Sequence, residues 1–155
     1  MKEQSMSVIL PLLPIVGALK LTTHDGRTLS SIHVVEPQEP EARNAFFEDC
    51  YQKLLSYLSG ESQELDIPTD LREVSPFQLE VLNAMRAIPF GKVASYRDLA
   101  VKMNSRAFQA IGTACGRNPL MLIYPCHRVV GSKDLGGFAH GLEMKKALLG
   151  LESAR

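Results

Sequence analysis

The sequence predicts an α+β fold in two parts. A small N-terminal α/β domain with a β-hairpin and a linker is expected over residues 1–74, and a mainly helical domain with a helix-turn-helix over residues 75–155. Alternating apolar residues are confined to the first part, whereas helical periodicity with capping residues dominates the second. The 155 residues, 45% of them hydrophobic, suffice for one ordinary domain or two small ones.

The charge changes sign between the two parts. Residues 1–74 hold 6 Lys/Arg and 12 Asp/Glu, a balance of −6, whereas residues 75–155 hold 11 and 5, a balance of +6. An acidic half joined to a basic half indicates that only the second half meets a polyanion. Chance segregation of the charges is the alternative.

Residues 16–21 and 28–35 are predicted to be the two strands of a hairpin. Both alternate in hydrophobicity, and the Asp25-Gly26 dipeptide between them is a turn signal. The apolar run over residues 8–19 is interrupted by prolines and a glycine, so a strand fits it better than a membrane span or a signal peptide.

One helix and a linker complete the first part. Residues 42–58 carry apolar side chains at helical spacing and end before Gly60. Residues 60–74 are polar and acidic and contain Pro68, which is typical of a linker.

A capped helix opens the second part. Ser75 stands at the N-cap position, Pro76 at the first helical position, and Gln78 three residues after the cap. The helix is predicted to end near Pro89. Its expected buried face consists of apolar residues at helical spacing: Phe77, Val81, Leu82 and Met85.

Two short helices joined by a tight turn follow. The first is predicted to start at Ser95, with Asp98 near its positive end, and to reach about residue 103. The second is capped by Ser105, spans residues 106–115 and is rich in Ala and Gly. This pattern indicates a helix-turn-helix, with an ordinary antiparallel helix pair as the alternative.

The three cysteines, Cys50, Cys115 and Cys126, are odd in number and form no C-x-x-C pair. A disulfide framework and a structural zinc site are therefore poorly supported, and we expect reduced thiols in a cytoplasmic protein. His24 and His33 do not complete a metal-ligand set with Cys50. Since glycine-rich phosphate loops are also lacking, we expect neither metal nor cofactor.

Residues 125–128 carry the chemistry. A hydrophobic run precedes the sequence Pro-Cys-His-Arg. A cysteine becomes a nucleophile when a neighbouring base or positive charge favours its thiolate. Adjacent side chains of an extended segment point in opposite directions, so we expect His127 to act through a water or through backbone geometry. A buried structural cysteine beside a satisfied histidine is the alternative.

The string Pro-Cys-His-Arg-Val-Val at residues 125–130 resembles the O6-alkylguanine–DNA alkyltransferase family. It is preceded by Gly-Arg-Asn-Pro and followed by a Gly-Gly-Phe loop and a Lys-bearing helix, and the resemblance continues upstream through residues 91–100. It covers most of residues 75–155. The first part is similar to the family only in length and in its hairpin-then-helix order.

The resemblance implies a methylated-DNA–protein-cysteine S-methyltransferase. Such a protein binds the minor groove of duplex DNA, rotates an O6-alkylguanine (and O4-alkylthymine) out of the stack and transfers the alkyl group irreversibly to itself. We expect a monomer that acts once, because a thioether is not cleaved by water at neutral pH.

Three residues are assigned to the transfer step by the resemblance. Cys126 accepts the alkyl group, His127 deprotonates the thiol through a water, and Glu152 supports the histidine, as in other triads. Without the resemblance, Glu152 would be interpreted as a solvated charge near the C-terminus.

The resemblance also assigns supporting roles. Asn118 holds the turn before the active-site segment, Tyr96 helps guanine leave with a proton, and Lys145 favours negative charge on the leaving base. The residues expected to bind DNA are Ser95, Tyr96, Arg106, Gln109, Ala110, Arg117 and Arg128.

The chain departs from the family at the recognition helix and at the pocket. Gln109 stands where the family usually has an arginine that fills the gap left by the flipped base, and glutamine lacks the charge and stacking plane of guanidinium. Ala139 and His140 replace residues that line the pocket in relatives, so the alkyl size that fits stays open.

Three other functions remain alternatives. An alkyltransferase-like module binds damage without transfer, but it lacks the acceptor cysteine. A cysteine hydrolase using Cys126 and His127 would turn over without DNA. A helix-turn-helix regulator would bind undamaged DNA and tolerate loss of the thiol.

Overall fold

A computed structural model describes residues 5–39 and 41–153 and divides the chain into two compact units, residues 1–71 and 72–155. The α+β class is confirmed: the first unit contains a small antiparallel sheet and one helix, and the second contains four helices. Residues 1–4, 40, 154 and 155 of the predicted domains lie outside the described residues.

The sheet of the first unit has three antiparallel strands in the order β1-β2-β3, namely β1 (Met6–Leu13), β2 (Gly17–Thr23) and β3 (Ser31–Val35). The predicted hairpin is β2-β3, with Leu21 opposite Ile32. The apolar run predicted as one strand is two, because the chain reverses at Pro14 and Ile15, whose φ of 70° is left-handed.

Helix α1 (Ala45–Leu58) begins three residues later than predicted. The side chain of Asn44 accepts a hydrogen bond from the Phe47 N–H and thereby sets the N-terminus. Its buried face includes Phe47 and Leu54.

The predicted linker over residues 60–74 is only partly a linker. Ile67 is buried, and the Leu29 N–H donates to the Pro68 carbonyl at 2.9 Å. The Asp70 N–H donates to the Leu29 carbonyl at 2.7 Å. Residues 67–70 therefore belong to the packed first unit, because they satisfy backbone groups there.

In the second unit, helix α2 (Pro76–Arg86) starts as predicted, since Ser75 Oγ accepts from the Gln78 N–H. The Gln78 side chain does not complete a capping box. Its amide donates 2.9 Å to the Ala114 carbonyl instead and ties α2 to a later helix. Phe77, predicted to be buried, is only half-buried.

The two helices of the predicted helix-turn-helix are α3 (Tyr96–Lys102) and α4 (Phe108–Gly116). Ser95 and Asp98 form the capping box that starts α3. The predicted start of α4 is wrong: Ser105 Oγ accepts from the Ala107 N–H, which forms a local turn, and the helix begins only at Phe108.

A short parallel pair joins β4 (Ala94–Ser95) to β5 (Val129–Val130), and α5 (Leu142–Ser153) ends the described chain. Buried apolar residues of the second unit, such as Leu82, Ile111 and Leu148, come from three different helices. None of the described helices has the length and apolar character needed to cross a membrane.

Candidate active site around Cys126

Asn118 organises the segment that leads to Cys126. Its Nδ2 donates 2.7 Å to the Tyr124 carbonyl, and its Oδ1 accepts from the Leu120 N–H at 2.9 Å. The Cys126 N–H also donates to the Tyr124 carbonyl at 2.8 Å. These bonds satisfy the backbone of a buried loop, so its path is held rigidly up to the thiol.

Residues Cys126–Arg128 form one turn of 3-10 helix, closed by a hydrogen bond from the Arg128 N–H to the Pro125 carbonyl. The expectation of an extended segment is therefore wrong. Successive side chains of a 3-10 helix differ in direction by about 120°, whereas those of an extended segment differ by about 180°. The smaller angle allows His127 and Arg128 to reach the same partner.

That partner is Glu152, whose side chain is almost completely buried. The His127 Nε2–H donates to Glu152 Oε2 at 2.9 Å, and Arg128 binds both carboxylate oxygens through Nε and a terminal nitrogen, each at 2.9 Å. A solvated charge at this position is excluded. The carboxylate orients the imidazole, as the resemblance implies.

Arg128 is inside the protein, so its predicted role as a DNA contact is corrected. Its guanidinium binds Glu152 in bidentate geometry, donates 2.7 Å to the Ile88 carbonyl and lies 5.7 Å from the centre of the Phe90 ring. Arg128 thus neutralises the buried carboxylate and fixes its orientation.

Burial lowers the pKa of His127, although the hydrogen bond and the charge of Glu152 oppose this shift. The ring is therefore neutral at pH 7. With its proton on Nε2, toward the carboxylate, the Nδ1 atom carries a free lone pair. Nδ1 is buried and has no hydrogen-bond partner among residues 5–39 and 41–153, so it is an available base.

The pKa of the Cys126 thiol is raised because the side chain is buried. Four groups oppose this shift: the Asn118 side chain, the backbone N–H groups of Cys126 and His127, and the positive charge of Lys145. The site therefore lowers the cost of forming a thiolate away from water.

The Lys145 side chain is fully buried. Its Nζ donates 2.6 Å to the Val129 carbonyl and 2.9 Å to the Gly137 carbonyl. Burial lowers the pKa of Lys145, and the nearby thiols raise it. Lys145 does not itself line the cavity in front of Cys126, and its ammonium ties α5 to the loop of residues 131–141.

A cavity of about 150 Å³ opens in front of the thiol. Its walls come from α3, α4, the active-site segment and the loop before α5: Tyr96, Gly112, Cys115, Gly116, Asn118, Cys126, Gly137, Phe138, Ala139 and His140. The cavity thus brings together three predicted site residues that are far apart in the sequence, namely Tyr96, Asn118 and Cys126.

Tyr96 is held against the loop that carries Gly136 and Gly137. A Cβ on Gly136, whose φ is +70°, would lie 3.0 Å from the Tyr96 ring, so the close approach requires glycine. Burial raises the pKa of Tyr96, while the Gly137 N–H, which donates to its hydroxyl, lowers it. Tyr96 remains a protonated hydroxyl at neutral pH.

Sequence reasoning missed Cys115 and Phe138 as cavity residues. Cys115 follows Gly112 by three residues on α4, and this spacing could have placed it on the cavity face. Burial raises the pKa of Cys115 to about 12. Phe138 lies in the Gly-Gly-Phe loop that carried part of the resemblance.

The remaining residues expected at DNA lie on the surface of the second unit. Arg106, Gln109, Ala110 and Arg117 are exposed, with Gln109 and Ala110 in the first turn of α4 and Arg106 just before it. Ser95 is half-buried and caps α3. Among the described residues, no group of three His, Cys, Asp or Glu could hold a metal ion.

Residues 76–154 match the family model described as 6-O-methylguanine DNA methyltransferase, DNA binding domain. A methylated-DNA–protein-cysteine methyltransferase of Sulfurisphaera tokodaii is 40% identical over 111 residues, covering 70% of this chain and 69% of that protein. The protein of the same name from Mycobacterium tuberculosis is 36% identical over 148 residues, covering 90% and 88%.

Solved structures agree with this similarity. The crystal structure of Mycobacterium tuberculosis O6-methylguanine methyltransferase matches with a TM-score of 0.84 and 33% identity, covering 98% of this chain and 94% of that one. The structure of Mycobacterium tuberculosis OGT in complex with DNA matches with a TM-score of 0.81 and 32% identity, covering 97% and 92%.

Proposed function

The chain belongs to the family of methylated-DNA–protein-cysteine methyltransferases, and we propose that it repairs O6-alkylguanine in duplex DNA by moving the alkyl group to its own Cys126 in a single turnover. DNA binding and alkyl transfer in DNA repair follow from the family. The acceptor residue, the extruded base and the single turnover are the proposal.

The observation that carries the proposal is the environment of Cys126. Cys115 lines the same cavity, but the hydrogen bond that opposes the rise in its thiol pKa comes from its own backbone. Cys126 adjoins the Asn118 amide, two backbone N–H groups and His127, which Glu152 orients. Of the two thiols that face the cavity, Cys126 is therefore the nucleophile.

The proposed reaction is a displacement at the alkyl carbon. The Cys126 proton passes through one water to His127 Nδ1, and the sulfur attacks the carbon on the side opposite guanine O6. The carbon–oxygen bond breaks, and its electron pair remains with guanine. The Tyr96 hydroxyl gives a proton to the leaving guanine, and the proton held by His127 returns through water to the Tyr96 oxygen, so the net change is thiol and alkylguanine to thioether and guanine.

Guanine O6 is inside a duplex, so the nucleotide has to leave the stack, at a cost of a few kcal/mol. The cavity in front of Cys126 supplies the site that receives the base. Helix α4 is suited to the minor groove because Ala110, which is exposed in its first turn, is small and lets the backbone approach DNA closely. O4-alkylthymine, a smaller base with the same oxygen-linked alkyl group, is the second proposed substrate.

Duplex DNA with labelled O6-methylguanine tests the proposal, with Cys126→Ser as the loss variant and Cys115→Ser as the matched control. We expect one methyl per chain, found on the peptide that contains Cys126. The label should be absent in Cys126→Ser and unchanged in Cys115→Ser. Label on Cys115, release of methyl groups over many turnovers, or binding without transfer would each contradict the proposal.

A further inference from the structure

Phe108 is a large apolar side chain at the start of the recognition helix α4, and its exposed fraction is 48%. Single exposed aromatic rings are common on protein surfaces, so the position of the ring decides what it can do. The residues around it form two surfaces, one leading to the cavity and one rich in arginine.

The first surface connects Phe108 to the cavity. Gly112 and Gly116 line the cavity and follow Phe108 by four and eight residues, a spacing that puts all three on one face of the helix. A Cβ added to either glycine would meet no atom within 4 Å, so the helix face between ring and cavity is open.

The distance along this face matches the scale of a base stack. At a rise of about 1.5 Å per residue, Phe108 lies ~6 Å along the helix axis from Gly112. Two base steps of about 3.4 Å each cover the same length. A ring at Phe108 is thus within reach of the gap that a nucleotide entering the cavity would leave.

The second surface is a groove of about 450 Å³ between α3 and α4, lined by Phe108, Val101 and the two arginines Arg97 and Arg106, among others. Phosphates border every base step, and minor-groove proteins combine cationic contacts to the backbone with apolar side chains wedged between bases. The neighbouring Gln109 amide can hydrogen-bond but stacks weakly, because it lacks an aromatic or guanidinium plane.

We propose that Phe108 enters the base stack and fills the gap left by the extruded nucleotide, while Gln109 binds the orphaned partner base. Phe108 is thus a positioning residue: it stabilises the open duplex and does not touch the reacting atoms. The proposal rests on the proposed function, since it presumes that the base leaves the duplex.

Comparison of duplex and single-stranded DNA tests this role, because only a duplex contains a gap to fill. Both oligonucleotides carry O6-methylguanine, and methyl transfer to the Cys126 peptide is timed in a single turnover. For Phe108→Ala we expect transfer in the duplex to slow roughly five- to hundredfold, the range of a lost base–aromatic stack. Transfer from the single strand should change less than about twofold, and Phe108→Leu should recover part of the duplex rate.

Leu142→Ala is the matched control, because Leu142 is 46% exposed and lines neither the cavity nor the groove. Its rates should equal those of the unaltered protein on both substrates, and the two alanine variants should unfold at similar temperatures. An equal loss on duplex and single strand, or no loss on the duplex, would overturn the proposal. Absence of transfer by the unaltered protein would instead reject the proposed function.

The chain contains no tryptophan, so Phe108→Trp introduces a single fluorescent indole at the proposed wedge. In a Cys126→Ser background the lesion persists, and we expect lesion-containing duplex to quench the emission strongly, as stacking between bases does. The same substitution at Leu142 should show little quenching. Unchanged emission from position 108 with saturating duplex would also overturn the proposal.

Discussion

Replacement of Glu152 by glutamine is expected to lower both the stability and the transfer rate. Glutamine keeps the shape of the side chain but loses the negative charge that lies 2.9 Å from both Arg128 and His127. Its NH₂ group must also face one of these two donors. The buried Arg128 then loses the carboxylate charge that it binds through two hydrogen bonds.

The magnitude follows from burial. Removing one partner of a buried ion pair costs about 3–5 kcal/mol, and we expect the lower end because glutamine retains one acceptor. At roughly 2–4 °C per kcal/mol for a chain of this size, the unfolding midpoint should fall by ~6–12 °C. The free energy of unfolding of a domain is about 5–15 kcal/mol, so the variant should still fold at 25 °C.

The transfer rate should also fall, because His127 loses the carboxylate that holds its proton on Nε2 and leaves Nδ1 basic. A positioned base contributes roughly 10²–10⁴-fold, so a loss of at least tenfold is expected in the folded variant. Calorimetry measures the midpoint, and single-turnover transfer at 25 °C measures the rate.

Glu143→Gln is the matched control. Glu143 lies on the same helix, is almost fully exposed and is 3.9 Å from the exposed Lys146, a pair that contributes little. Its midpoint and rate should equal those of the unaltered protein. If Glu152→Gln melts within about 2 °C of the unaltered protein, or transfers at its full rate, the reasoning about the buried carboxylate is refuted.

Three further predictions concern the recognition helix, pH and the loop beside Tyr96. Gln109→Arg should strengthen binding of alkylated duplex or speed its repair, since guanidinium adds charge and a stacking plane; unchanged or weaker binding in a titration would reject this. Folding lowers the pKa of His127, so the unfolded chain binds a proton at this imidazole more readily than the folded protein does. The free energy of unfolding should therefore decline as the pH falls below about 6.5, the pKa of an unperturbed histidine, by up to ~1.4 kcal/mol at pH 5.5. Urea unfolding at pH 7.5 and 5.5 should show this decline in the unaltered protein and less of it in His127→Asn; equal declines would argue against His127 as the source. Gly136→Ala should lower the free energy of unfolding by about 1–3 kcal/mol and slow transfer, because the residue has positive φ and its Cβ would press on the Tyr96 ring. Gly150→Ala on α5 meets open space and should raise the free energy of unfolding by up to ~1 kcal/mol. Thermal unfolding of the two variants checks the opposite signs.

Much of the fold could be predicted because its signals are local. Ser75 and Ser95 cap α2 and α3 as expected, since each hydroxyl binds an N–H three residues away and no tertiary contact has to be known. The predicted helix cap at Ser105 is wrong, although its signal is equally local. Its hydroxyl found the nearer Ala107 N–H, and sequence alone does not rank these competing short-range bonds.

The predicted linker and the predicted DNA contact of Arg128 failed because burial depends on long-range pairing. Residues near Ile67 look like a linker by composition, yet Leu29, almost 40 positions earlier, offers their backbone two hydrogen bonds. Arg128 looked like a cation for phosphate, and only the fold brings a carboxylate from α5 to it.

By itself, the sequence determined the order of the helices, the basic character of the second half and the Pro-Cys-His-Arg motif at residues 125–128, because all three depend on residue types at short spacings. Only the tertiary structure decided which groups surround that thiol. Glu152 is 25 positions from His127, and Tyr96 is 30 positions from Cys126. Their meeting depends on how helices pack, a property of the whole chain.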